Sequence, residues 1–280
     1  LLVSNPRVMT ADPAHLLGFE FAICSSSKRQ GPLSIVQLDS LRLEEIGQDL
    51  LYYPQRYEGL VAEIKRILPL QRQTIKSVVG APPIPYGVVL TDKPLPLILS
   101  DNTVFHAGVK HTLWPISIPD LKAGDYIMVV HEWFETNLND RILFGDEKVR
   151  WITDGLSELA RINFIRNVPQ SLRDSLGITQ EIEAELSNYL DFVNSNLEEG
   201  KQTLDFDLIE WTLVGPRHPI ATPDITGYAL SLAFWYGIQQ GFGTELIHEF
   251  VDQLQDQDRP AGEEAVFILG QLTDTDMHTQ

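Results

Sequence analysis

Three charged positions carry the clearest enzymatic chemistry in the chain: Asp120, which follows Pro119, and then Asp146 and Lys148 of the run Asp146-Glu147-Lys148. Two carboxylates on adjacent strands can share a Mg²⁺ ion while a lysine ammonium steadies the attacking water, which is what phosphodiester hydrolysis asks for. The pattern departs from that need at Glu147, which is charged where a buried strand wants an apolar residue, and at Gly145 just before it. The bland alternative is a charged segment at the end of a hairpin strand, with no catalytic residue in the chain. His131-Glu132 closes a β-prone run and invites a metal completed by Asp101 or Asp125. A strand-end histidine making one hydrogen bond is the expectation there, so no metal site is assigned. His106 and His111 are an odd number of residues apart, which puts them on opposite faces of a regular strand and makes them poor co-ligands.

Other chemistries are excluded by what is missing. There is no glycine-rich strand-to-helix turn of the dinucleotide or P-loop type, and no nucleophile elbow, so no cofactor is expected. Cys24 is the single cysteine, which rules out an internal disulfide and a thiolate zinc site within one chain. That usage, with no signal-peptide layout at the amino end, points to an intracellular, reducing compartment. No apolar run reaches the length of a membrane helix, so no membrane partner is expected. The net charge of -18 repels phosphate backbones, which disfavours nucleic acid as a direct ligand and favours a protein partner.

The elements that must position these residues divide the chain into three expected parts. Residues 1–73 read as an amino-terminal hairpin followed by helices. In them Phe19, Phe21 and Ile23 alternate, Leu33–Leu38 forms a second strand, and Ser40–Leu68 has helical spacing that breaks at Pro54. Residues 74–153 carry short β-prone runs at 87–90, 97–99, 104–109, 126–130 and 142–144, separated by turn formers such as Ser100-Asp-Asn-Thr and Asn137-Leu-Asn-Asp. Residues 154–280 read as a helical carboxyl-terminal domain with an acidic tail. Thr153-Asp154 looks like a helix cap, a helix follows Thr179, and Thr222-Pro223 opens another. The fold class expected is α+β: a small OB-like antiparallel β-barrel between a hairpin/helix region and a helical domain.

The strand order over 86–152 resembles the oligonucleotide/oligosaccharide-binding (OB) folds, most of all the single barrels of replication protein A and RecQ-mediated genome instability complexes. Leu97, Leu99, Asp101, Leu121, Gly124, Asp125, Ile127, Val129, Ile142, Leu143 and Val149 carry the resemblance. It implies a place in DNA or RNA maintenance. On such a barrel Phe105, Trp114, Trp133, Phe134 and Arg141, with Lys110, would form the contact face, and bulky aromatics of this kind anchor protein partners. The function expected is therefore a non-enzymatic adaptor or assembly subunit that meets a partner protein through barrel aromatics. One alternative is a viral or compartment shell subunit. The other is a Mg²⁺-dependent nuclease, because the Asp120, Asp146, Lys148 set resembles the PD-(D/E)xK class.

Overall fold

The computed structural model describes residues 34–94, 97–121, 123–176, 208–211 and 223–274. The expected Phe19–Ile23 strand and the helix after Thr179 lie outside them. The architecture is mixed α and β, with strands in the amino-terminal half and helices packed beneath and after them.

The sheet is built around β4 (Tyr86–Thr91), every residue of which is buried. Such a run suits a strand covered on both faces, and β4 lies parallel to both neighbours, β3 (Asp49–Tyr53) and β7 (Val109–Ser117). The antiparallel strands β2 (Arg42–Ile46) and β6 (Thr103–His106) complete a five-stranded order β2-β3-β4-β7-β6. Alternation along β4 divides its side chains. Val88 and Leu90 join the main core with the helices, while Val89 packs with Val36 and Leu113 on the other face. That second face is covered by a small parallel pair, β1 (Ser34–Val36) and β5 (Leu97–Leu99).

Two turns correct the sequence reading of this half. Gly47, at φ 65°, turns the chain between β2 and β3, so Arg42–Tyr53 is a hairpin and not the expected helix. Ala107 and Gly108, at φ 50° and 82°, split the expected 104–109 strand into the ends of β6 and β7.

Helix α1 (Glu58–Val79) buries Val61, Ile64, Ile67, Leu68, Ile75, Val78 and Val79, a stripe at spacings of three and four, in the main core. Arg72 on its outer turn ties it to the hairpin, donating from Nε to Asp49 Oδ2 at 2.8 Å, and Asp49 also accepts the Tyr86 N–H. Gly80 ends the helix in the left-handed region, its N–H bonded to the Lys76 carbonyl.

From Ala123 on, the expected barrel gives way to helices. The run Tyr126–Val130 is the first turns of α2 (Ala123–Arg141), and residues 142–144 are not a strand. The 86–152 stretch therefore does not close into a five-stranded barrel. Helix α3 (Arg150–Asn167) runs straight through the expected boundary at 153, and it is buried along almost its whole length. It packs on α2, α1 and α5 (Pro223–Phe242), with α4 (Gln170–Leu176), α6 (Thr244–Gln255) and α7 (Gly262–Thr273) completing the described helices. The α3–α5 contact is close at Gly155, which lies under Trp235 and Ser231. Among the described residues no helix is long and apolar enough to cross a membrane.

A candidate metal centre between two helices

A helix buried on all sides must pair whatever polar groups it carries. Helix α3 carries Arg150, Asp154, Glu158 and Arg161 at spacings of four, four and three, which places them along one face. Facing them on α2 are His131, Glu132 and Glu135, where His131 and Glu135 are one helical turn apart.

His131 is the centre of this cluster, with its side chain only 3% exposed. Its Nδ1 meets Glu158 Oε1 at 2.9 Å. Its Nε2 points the other way, 3.6 Å from Asp154 Oδ1 and 3.9 Å from Glu135 Oε2, beyond hydrogen-bond reach of both. One donor atom each from His131, Glu135 and Asp154 lies within 4.8 Å of the other two. Two ligand atoms ~2.1 Å from a common ion at the tetrahedral angle sit about 3.4 Å apart, so the three side chains would draw together to share a dication.

The surroundings fix each member. Arg161 Nη1 holds both oxygens of Glu158, at 2.6 and 2.8 Å. Arg150 donates from Nε to Asp154 Oδ2 at 2.7 Å and from Nη2 to the Tyr228 hydroxyl at 3.0 Å, and its guanidinium lies 4.1 Å over the Trp211 ring. The Tyr228 ring meets His131 edge-on. Glu135 is the most open member, its side chain 35% exposed, so solvent reaches the cluster from that side.

Electrostatics follow from the packing. Burial works to discharge His131, but the carboxylates of Asp154 and Glu158 outweigh it and hold the imidazole protonated to about 10 in the metal-free chain. Glu158 is likewise pushed up by burial, yet Arg161, and then the bonded His131, bring it down to about 2. Burial raises Glu132 to about 7; His131 opposes the rise while Glu135 and Asp154 add to it. Burial also raises Glu135, with Asp154 adding to the rise.

The sequence-predicted site residues fall elsewhere. Trp133 and Phe134 are fully buried in α2: Trp133 stacks on Tyr86 with centroids 5.2 Å apart and donates its Nε1–H to the Ile84 carbonyl. They form no contact surface, because the run that reads as a strand is a helix whose inner face they occupy. Arg141 bonds the Pro82 carbonyl and Asn137. Trp114 is partly buried on β7, Lys110 faces Asp140, and Phe105 alone of the set stands well out, 76% exposed.

The nuclease set is not assembled on adjacent strands. Asp120 lies in the loop before α2 and accepts from Ser117. Asp146 lies in the loop after α2 and accepts the N–H groups of Lys148 and Gly262, and Lys148 pairs with Glu210. Asp101 is exposed on a loop and Asp125 opens α2, so neither is the partner of His131. His106 pairs with Glu45, while His111 is buried between the carbonyls of Val109 and Gln48. Asp154 is not a cap but an interior helix residue of the cluster.

Sequence reasoning missed Glu135, Asp154, Glu158, Arg150 and Arg161 as members of this cluster; for Glu135 a signal existed. A histidine-glutamate pair followed by a second ligand four residues after the histidine is the helical spacing of zinc hydrolases, with a carboxylate here in place of the second imidazole.

No family model matches the chain, and no curated protein does. Among solved structures it is similar to an M1 zinc metallopeptidase from Deinococcus radiodurans at 16% identity and a TM-score of 0.44, over 82% of this chain and 47% of that one. A point mutant of an M1 zinc metallopeptidase from the same organism aligns at 14% identity and a TM-score of 0.45, over 85% of this chain and 49% of the other. The chain thus spans about half the length of the structures it matches. With residues 126–130 helical, 142–144 not a strand, Trp133 and Phe134 buried, and Asp120, Asp146 and Lys148 bonded to separate partners, the adaptor, shell and nuclease expectations are withdrawn.

Proposed function

We propose that this chain holds one divalent metal ion of the zinc class at His131, Glu135 and Asp154 and is a metal-dependent hydrolase. The observation that carries this reading is the orientation of His131. Its Nδ1 is anchored by a buried carboxylate, and its Nε2 faces one oxygen of Asp154 at 3.6 Å and one of Glu135 at 3.9 Å. A histidine ligand held by a carboxylate on its far nitrogen is how proteins orient imidazole toward a metal.

When bound, such an ion polarises a carbonyl oxygen and acidifies a water molecule. The protein's own residues supply the rest. Glu132, next to His131 on the same helix, is placed to take the proton of the attacking water. Glu158 and Arg161 keep the imidazole in its tautomer and orientation, and the close α2–α3 packing keeps bulk water away from all but the Glu135 side.

Chelator-treated full-length chain, titrated with Zn²⁺, Co²⁺ and Mn²⁺ by calorimetry, is the direct test. One equivalent bound by the wild type and lost in His131→Ala is the expected result, with Glu132→Gln binding the ion but failing to cleave a mixed set of fluorogenic peptides and esters. Absence of stoichiometric binding of any of these ions would sink the reading.

A second reading has its own observation. Arg150 and Arg161 already stand against the buried carboxylates, so the cluster can serve as a metal-free charge network cementing α2 to α3. It predicts no ion binding, together with a large loss of stability in the His131 variant.

A further inference from the structure

We infer that Arg150 is a positioning residue that sets which ion the centre takes; the inference rests on the metal reading above. The two oxygens of Asp154 are divided between two tasks. Oδ2 is capped by Arg150 Nε at 2.7 Å, and Oδ1 alone faces His131 Nε2, at 3.6 Å. A carboxylate with one oxygen capped gives a metal one ligand atom, whereas a free one can swing to give two.

That difference decides coordination number. Carboxylate-rich sites ordinarily suit larger, oxygen-preferring cations with six or more ligands, and two of the three donors here are carboxylates. Capping Asp154 withholds the extra oxygen and leaves one donor atom from each of three side chains, the number of protein ligands that a catalytic zinc would take. Arg150 therefore keeps the centre zinc-like although a carboxylate stands where a second imidazole would.

The guanidinium is held well enough to do this. Its side chain is 8% exposed, Nη2 donates to the Tyr228 hydroxyl at 3.0 Å, and the guanidinium carbon lies 4.1 Å from the centre of the Trp211 ring. Its charge also offsets one of the two ligand carboxylates, which limits the attraction of the site for any dication that is merely hard.

The test compares wild type with Arg150→Met and with Tyr228→Phe, a gentler variant that only loosens the grip on the guanidinium. Affinities for Zn²⁺ and Mn²⁺ are measured by chelator competition, and the visible spectrum of the Co²⁺-loaded chain reports coordination number. The wild type should give the intense bands of four-coordinate Co²⁺. In Arg150→Met the zinc-over-manganese affinity ratio should fall about tenfold or more, and the Co²⁺ bands should weaken toward a five- or six-coordinate spectrum. Tyr228→Phe should move both readouts the same way by less, and it decides the matter if Arg150→Met does not fold. A six-coordinate Co²⁺ spectrum in the wild type, or an unchanged ratio and spectrum in the variants, overturns the role of Arg150 while leaving ion binding intact. Failure of the wild type to bind any ion overturns the metal reading itself and this inference with it.

Discussion

His131 on α2 and Glu158 on α3, 27 residues apart in sequence, share a buried hydrogen bond of 2.9 Å, and Arg161 clamps the same carboxylate from its other side. The pair joins the two helices and turns the other imidazole nitrogen toward Glu135 and Asp154. Replacing Glu158 by Gln removes the carboxylate that Arg161 clamps and one of the carboxylates that face the buried His131. The metal-free protein should lose about 3–5 kcal/mol in urea unfolding. Zinc affinity should fall about 10–100-fold, because His131 is no longer held in its ligating orientation. An unchanged affinity in a folded Glu158→Gln protein would remove Glu158 from the site.

The sequence showed the ingredients of this centre but not its assembly. His131-Glu132 was visible as a metal-capable pair, yet the run Tyr126-Ile-Met-Val-Val before it is short, apolar and β-branched, and periodicity over five residues does not separate strand from helix. The wider window decides it: Tyr126, Ile127, Val130, Trp133, Phe134 and Leu138 recur at helical spacing and are all buried. Once the strand is assumed, Glu135 falls outside the pattern and Asp154 looks like a cap. The meeting of 131 with 154 and 158 is tertiary, fixed by two helices packing, and no local pattern encodes it. The strand runs expected at 87–90 and 97–99, the helix after residue 57 and the helix that opens at Pro223 were legible, because each has an unambiguous local signature.

The α3–α5 approach makes a second prediction. A methyl group at Gly155 would sit 2.6 Å from Trp235 Cδ1 and 2.8 Å from Ser231 Cβ, and both neighbours are fully buried. Gly155→Ala should therefore cost about 1–3 kcal/mol through overpacking. Gly237, also in α5, has open space around the same position, so Gly237→Ala should gain about 0.5–1 kcal/mol from helix propensity. Thermal unfolding of the two variants side by side checks the opposite signs.

Stability should decline at alkaline pH through Tyr126. Burial, and then the charges of Glu63 and Asp125, push its hydroxyl up to about 12 from an ordinary value of 10. Below pH 10 both folded and unfolded chains keep this proton, and the contribution is fully present. Between 10 and about 12 only the unfolded chain releases it, so stability falls as pH rises through that window. Chemical denaturation at pH 9, 10.5 and 11.5 should show the decline, and Tyr126→Phe should reduce it, leaving the part owed to the buried Tyr86, whose hydroxyl burial also pushes well up.

Trp133 and Phe105 separate a core role from a surface one. Trp133 stacks on Tyr86, lies against the Arg72 guanidinium and bonds the Ile84 carbonyl, so it joins α2 to the entrance of β4. Removing its ring opens a large cavity beneath the sheet, and Trp133→Ala should cost about 3–5 kcal/mol. Phe105, on the edge strand β6, is 76% exposed, and Phe105→Ser should change stability by no more than about 0.5 kcal/mol. Urea unfolding of both variants checks the contrast. A Trp133→Ala protein as stable as wild type would mean that α2 does not pack on the sheet as described, and would undo the placement of His131 with it.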